Sequence, residues 1–119
     1  MPVTEVELSV VIPVFNEEEG LPALFARLYP ALDRLAVPYE VIFVDDGSRD
    51  PSAALVRAQS ARDPRFTLVE LSRNFGFQAA LSAGLAHAHG ADAVAHGAGL
   101  LDHLALRVLD VALSRLAFH

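Results

Sequence analysis

Three short segments hold the side chains with chemical potential. Pro13-Val14-Phe15-Asn16-Glu17 sets an aromatic ring beside a carboxylate. Val44-Asp45-Asp46-Gly47-Ser48 offers two carboxylates at a glycine turn, and Ser72-Arg73-Asn74-Phe75-Gly76 adds a guanidinium and an amide. An aromatic face stacks a base, carboxylates accept hydrogen bonds from a ribose or base edge, and arginine pairs with phosphate. Together they describe a nucleotide pocket, provided the chain brings all three to one place. Each also has a purely structural use. Phe15 suits a core, Asp45 or Asp46 can cap a helix, Glu17 to Glu19 suit the positive end of a helix, and Arg73 can be a solvated charge.

The elements around these segments alternate. Leu8 to Phe15 is a near-continuous apolar, β-branched run, as expected of a strand covered on both faces. Asn16 is placed to cap a helix in which Leu21, Leu24, Leu28, Leu32 and Leu35 recur at helical spacing, with Pro30 expected to kink or divide it. Glu40 to Asp46 reads as a second strand, Pro51 to about Ala61 as a helix, and Phe66 to Leu71 as a third strand. An Ala-rich helix is predicted from Phe77 to His89 with Gly90 as its cap, then a short strand from Asp92 to His96. A final helix from Leu101 to Phe118 sets His103, Arg107, Asp110 and Ser114 opposite leucines and valines. Strand–helix alternation implies an α/β domain with a mainly parallel sheet flanked by helices. In such sheets ligands bind beyond the carboxyl ends of the strands, where all three segments fall.

Composition narrows the function. A chain of 119 residues with 53% apolar and 20% charged side chains forms one folded domain, residues 1–119. There is no cysteine, which excludes disulfide, thiol and cysteine–zinc chemistry. A net charge of −6 argues against a nucleic-acid partner. All nine basic residues are arginine, so a lysine-containing phosphate loop is impossible, and neither G-x-G-x-x-G nor G-x-S-x-G occurs. The five histidines all lie from His87 onward without metal spacing, and they read as structural. No uncharged apolar run reaches the roughly 18 residues of a membrane span, and Glu5 and Glu7 are unlike a signal leader. A cytoplasmic location is expected.

The run Val10-Val11-Ile12-Pro13-Val14-Phe15-Asn16-Glu17, the turn Val44-Asp45-Asp46-Gly47-Ser48-Arg49-Asp50, and the stretches Leu71 to Gly76 and Gln78 to Leu85 resemble family 2 glycosyltransferases. The nearest subgroup is the polyprenyl-phosphate sugar transferases, typified by dolichyl-phosphate mannose synthase. The motifs arrive in family order over residues 8 to about 102. The resemblance implies the Rossmann-like, nucleotide-binding half of a GT-A fold and a UDP- or GDP-linked sugar as donor. It also implies a polyprenyl-phosphate acceptor in full-length relatives and a place at the inner membrane face. Carried over by position, Pro13, Phe15 and Glu17 line the base and ribose, Val44 and Asp46 meet the nucleoside, and Arg73 and Gln78 lie toward the sugar-phosphate. The family's usual tyrosine is here Phe15, which keeps the stacking face and loses a hydroxyl.

Two departures qualify that reading. The family typically reads Met-Asp-Ala-Asp-Leu-Gln-Asp-Pro-Pro after its fourth strand, whereas this chain reads His96-Gly97-Ala98-Gly99-Leu100-Leu101-Asp102-His103-Leu104. Gly97 and Gly99 occupy the places of the aspartates that hold magnesium or manganese, so the divalent cation expected for the family is not expected to bind here. Such ions need carboxylate oxygens, and glycine supplies none. The family's acceptor-binding half is also expected to be missing from this chain. The resulting expectation is a glycosyltransferase-like domain, inactive alone. The alternative is a non-catalytic nucleotide-binding or interaction module. The leucine-rich side of the final helix adds an expectation of self-association as a homodimer.

Overall fold

The architecture follows from two strands with no polar face. In the computed structural model, which describes residues 6–90 and 92–95, every residue of β1 (Leu8–Val14) and of β2 (Tyr39–Asp45) is buried. A strand buried on both sides needs a layer on each. Those layers come from α1 (Leu21–Asp33) and α2 (Ser52–Arg62) on one face and α3 (Phe77–Ala86) on the other; β3 (Phe66–Glu70) and β4 (Asp92–Ala95) complete the sheet. The strand order is β3-β2-β1-β4 and every pairing is parallel. Leu8 pairs with Tyr39 and Val14 with Asp45, so β1 and β2 end level with one another. The expected α/β class with a parallel, helix-flanked sheet is what the chain adopts.

Alternation along the strands divides the core. Val10, Ile12, Val14, Val41 and Phe43 meet Leu21, Leu24, Leu28 and Leu32 of α1 and Val56 of α2. The rings of Phe25, Phe43 and Phe66 interlock there, Phe25 standing edge-on to Phe43 at 5.6 Å. Val11, Ile42 and Val44 face the other way, against Ala80 of α3. That helix lies unusually close, because a Cβ on Gly84 would collide with the side chains of Val11 and Val44.

Three local expectations differ from the structure. Asn16 does not cap α1. It takes a left-handed conformation (φ 52°), which asparagine tolerates, its side chain is bonded elsewhere, and a turn leads to Gly20 as the residue before the helix. Pro30 does not divide α1, which runs through it to Asp33; the missing N–H costs the helix one bond, to the Ala26 carbonyl. The third helix stops at Ala86 rather than His89 and is not capped by Gly90. The reason is tertiary: the His89 backbone N–H donates to Glu40 Oε2 at 2.6 Å, and Gly90 N–H donates to Ser9 Oγ at 2.8 Å. The final helix, and with it the basis for the expected homodimer, lies outside the described residues, as do Gly97 and Gly99.

At the amino edge of the sheet the polar groups satisfy one another. Ser9 Oγ donates to Glu40 Oε2 at 2.6 Å, while His89 Nδ1 lies 3.2 Å from Oε1. Burial alone would raise the Glu40 carboxyl, but the bonds from Ser9 and His89 hold it below its ordinary value. Beside it, the Arg65 guanidinium grips Asp63 at 2.9 and 3.0 Å and lies 4.5 Å over the Tyr39 ring. Tyr29 donates to the same carboxylate. Hydrogen bonds from Arg65 outweigh desolvation and lower Asp63 to about 2, while burial pushes Tyr39 up to about 12.

Candidate functional site

The carboxyl edge is built differently. Where β1, β2 and β3 end, the three following loops enclose a cleft of about 540 Å³, with Phe15, Asp45, Arg49, Glu70, Arg73 and Asn74 in its lining. The first two loops are tied by side chains that bond across to backbone. Asn16 N–H donates to Ser48 Oγ at 2.9 Å, and Arg49 N–H donates to Asn16 Oδ1 at 2.8 Å. Glu17 N–H donates to Ser52 Oγ at 2.8 Å and Glu18 N–H to Asp50 Oδ2 at 3.2 Å. Desolvation works against the Asp50 charge, yet the donors from Ser52 and Glu18 lower its pKa. These bonds satisfy amide groups that a bare loop would leave to water.

The paired aspartates have separate surroundings. Asp45 is 4% exposed; its Oδ2 accepts from Ser48 N–H at 3.1 Å, while its Oδ1 is buried with no hydrogen-bond partner among the described residues. Buried carboxylate oxygens are costly to leave unpaired. Asp46, also 4% exposed, spends both oxygens on the third loop, accepting from Phe75 N–H at 2.8 Å and Gly76 N–H at 3.1 Å. Gly47 follows at φ 75°, so close to the third loop that a Cβ would strike the backbone of Arg73 and Asn74. The Arg73 guanidinium then lies 4.3 Å over the Phe75 ring.

Of the residues expected to form the site, the structure brings Phe15 and Arg73 together in the cleft lining. Phe15 is 44% exposed and is therefore no core side chain. Pro13 is buried within β1. Val44 is fully buried, with its side chain toward α3. Glu17 turns back toward Gly20, its Oε2 3.6 Å from where a Cβ would stand. Gln78 is exposed on the first turn of α3, and Asp46 lies behind the loop that it binds. Neither these two nor Pro13, Val44 and Glu17 line the cleft. Arg49, by contrast, is a second cation in the lining that the sequence argument left without a role. Its signal was its position two residues beyond Gly47 in the turn.

Among the described residues no group of three histidine, aspartate or glutamate side chains stands close enough to hold a metal ion. None of their helices is long and apolar enough to cross a membrane.

Comparison with known proteins extends the geometry. The model of "Glycosyl transferase family 2" matches residues 9–95. The chain belongs to this family. It is 40% identical over 97 residues to the uncharacterized glycosyltransferase YkcC of Bacillus subtilis (strain 168), covering 82% of this chain and 30% of the relative. It is 48% identical over 89 residues to an undecaprenyl-phosphate 4-deoxy-4-formamido-L-arabinose transferase of Aeromonas hydrophila, covering 73% of this chain and 27% of that one. This family 2 domain is thus related to undecaprenyl-phosphate sugar transferases and spans less than a third of these relatives. Among solved structures, S. aureus TarS matches in fold with a TM-score of 0.63 at 23% identity, over 78% of this chain and 27% of its own. The mannosyltransferase PcManGT from Pyrobaculum calidifontis, solved with GDP-Man and Mn2+, matches with a TM-score of 0.58 at 28% identity, over 82% and 31%. The GT-A type of fold expected from the motifs is the one the neighbours share.

Proposed function

We propose that this domain binds a nucleotide-sugar in the cleft at the carboxyl edge, as the donor-binding part of a transferase that acts on a polyprenyl phosphate. The observation that carries this reading is an exposed ring, Phe15, and two guanidinium groups, Arg49 and Arg73, lining one preorganised cleft. Phe15 stacks the base, and Arg49 and Arg73 pair with the diphosphate. Gln78, just beyond the third loop, lies toward the sugar. The ionised diphosphate gains from loops whose backbone is already fastened, and the Arg73 guanidinium is further ordered by its stack on Phe75. The relatives named for undecaprenyl phosphate and the neighbour holding GDP-Man support the choice of donor and acceptor class. An acceptor of that kind places the work at a membrane surface.

One neighbour was solved with GDP-Man and Mn2+, and a divalent cation beside a diphosphate would neutralise the charge that develops as it leaves. Gly97 and Gly99 carry no side-chain oxygen, so these positions do not fit such an ion, and no step is assigned through one. Donor binding without a manganese requirement is the expected behaviour, and sugar transfer by these 119 residues alone is not expected. Calorimetric titration with UDP, GDP and their sugar conjugates, with and without manganese, tests the reading. Saturable binding that Arg73→Ala and Phe15→Ala both weaken supports it. No heat from any of these nucleotides overturns it. Binding that appears only with manganese would show that other ligands replace the missing carboxylates.

A further inference from the structure

We propose that the apolar flank of α3 formed by Phe77, Leu81 and Leu85 is the docking surface for residues 101–118 of this same chain. Ala80 and Gly84 are the buried residues of α3 and mark the side turned to the sheet. Phe77, Leu81 and Leu85 recur at intervals of four, so they lie along one flank beside that buried line. Leu81 is half-buried, packed against the cluster of Val11, Ile42 and Val44, but Phe77 is 54% and Leu85 46% exposed. Large apolar side chains aligned on one helix flank and left open mark a face that a partner covers.

Topology says which way the flank faces and what reaches it. Among the described residues α3 alone covers its side of the sheet, pressed through Gly84 onto Val11 of β1 and Val44 of β2. Beyond β1 lies β4, at the edge of the described sheet. A connection from β3 through α3 to a parallel strand turns right-handed. In that hand a helix running back along the strands presents the residue after each inward one toward the later strand. Leu81 and Leu85, which follow Ala80 and Gly84, therefore face the β4 side. The chain leaves β4 at Ala95, and a segment that turns back on this face runs beside the flank.

Residues 101–118 have the complementary pattern. They lie outside the described residues, and their sequence reads as a helix with His103, Arg107, Asp110 and Ser114 on one face. Opposite stand Leu101, Ala105, Val108, Leu109, Ala112 and Leu116, a broad apolar face in which two alanines allow close approach. The expected homodimer rests on this same side. The flank of α3 is too small for a second copy, since three side chains are little beside the roughly 800 Å² that each partner of a stable complex buries. A segment that begins five residues beyond β4 needs far less. It loses no translational freedom on docking and meets the flank at high effective concentration.

The test needs no nucleotide and stands apart from the function proposed above. The chain has no cysteine, so Ser82→Cys, at an exposed position of α3, gives a single attachment point for a nitroxide, which broadens nearby amide signals. In NMR spectra of the full chain, the amides of residues 104–116 should lose at least half of their intensity relative to the reduced label. Those of α2, on the other face of the sheet, should keep theirs. When spin-labelled chains are mixed with isotope-labelled chains that carry no nitroxide, the 104–116 amides should also keep their intensity. Ala86→Cys, likewise exposed, serves if Ser82→Cys fails to fold. Leu85→Glu, added to the labelled chain, should restore most of the lost intensity while the signals of β1 and α1 stay native. No loss in the labelled chain overturns the proposal, and so does a loss that Leu85→Glu leaves in place. Equal loss in the mixed sample would give the flank to a second copy and would overturn docking within the chain.

Discussion

The two edges of the sheet use similar side chains to opposite ends. At the amino edge Glu40 is occupied by Ser9 and His89, and Asp63 by Arg65 and Tyr29. At the carboxyl edge the loops are fastened by similar bonds, yet Asp45 Oδ1 has no partner among the described residues and Phe15 stays exposed at the cleft. A buried charge that is fully paired holds elements together. One whose partners satisfy only part of it keeps capacity for something that arrives later. Polar residues alone therefore do not mark a site; unspent bonding capacity beside an opening does.

The comparison breaks hardest at the glycine that closes the carboxyl edge. Gly47→Ala forces a Cβ against the Arg73 and Asn74 backbone at a left-handed φ, and should cost about 3 kcal/mol or more in a denaturant melt. At the amino edge Glu40→Ala strands the Ser9 hydroxyl and the His89 amide. It should cost about 2 to 3 kcal/mol of stability while the affinity for UDP or GDP, measured on the remaining folded protein, stays unchanged. Phe15→Ala should do the reverse, weakening nucleotide binding by about 1 to 2 kcal/mol with a shift in melting near zero. Were both variants to alter stability and affinity together, the division between the edges would not hold.

The smallest effect concerns pH. Asp63 titrates at about 2 in the fold against an ordinary value of 3.8. Its stabilisation is complete above about pH 4 and is lost as pH falls toward 2. With its partner Arg65 half exposed, about 1 kcal/mol is expected after solvent screening. Urea melts between pH 5 and 2 should show this loss, and Asp63→Asn should flatten it.

Much of the architecture was legible because burial on both faces leaves a plain pattern. The runs that became β1 and β2 have hardly a polar residue to expose, and the leucine spacing of α1 survived even Pro30. Helix ends were less legible. His89 reads as helical by local propensity, and Asn16 reads as a cap. Each is decided by a bond to a residue more than 30 positions away, His89 to Glu40 and Asn16 to Arg49. Phe15 and Arg73 reach the cleft lining, where their chemistry and their place after a strand had pointed. Asp45 and Asp46 are adjacent and identical in type, so nothing local distinguishes the one bordering the cleft from the one holding a loop.

What the sequence determined by itself was therefore the kind of protein: alternating strands and helices, three chemically loaded segments at strand ends, and an ordered motif set that belongs to family 2. The sequence also carries the expectation, not reached by the family match over residues 9–95, that Gly97 and Gly99 stand in place of the family's carboxylates. Only the tertiary structure decided which polar groups are already spent. Hydrogen bonding is exclusive in a way that composition is not, and a carboxylate committed to two amides in the fold is no longer the same chemical group as the carboxylate beside it.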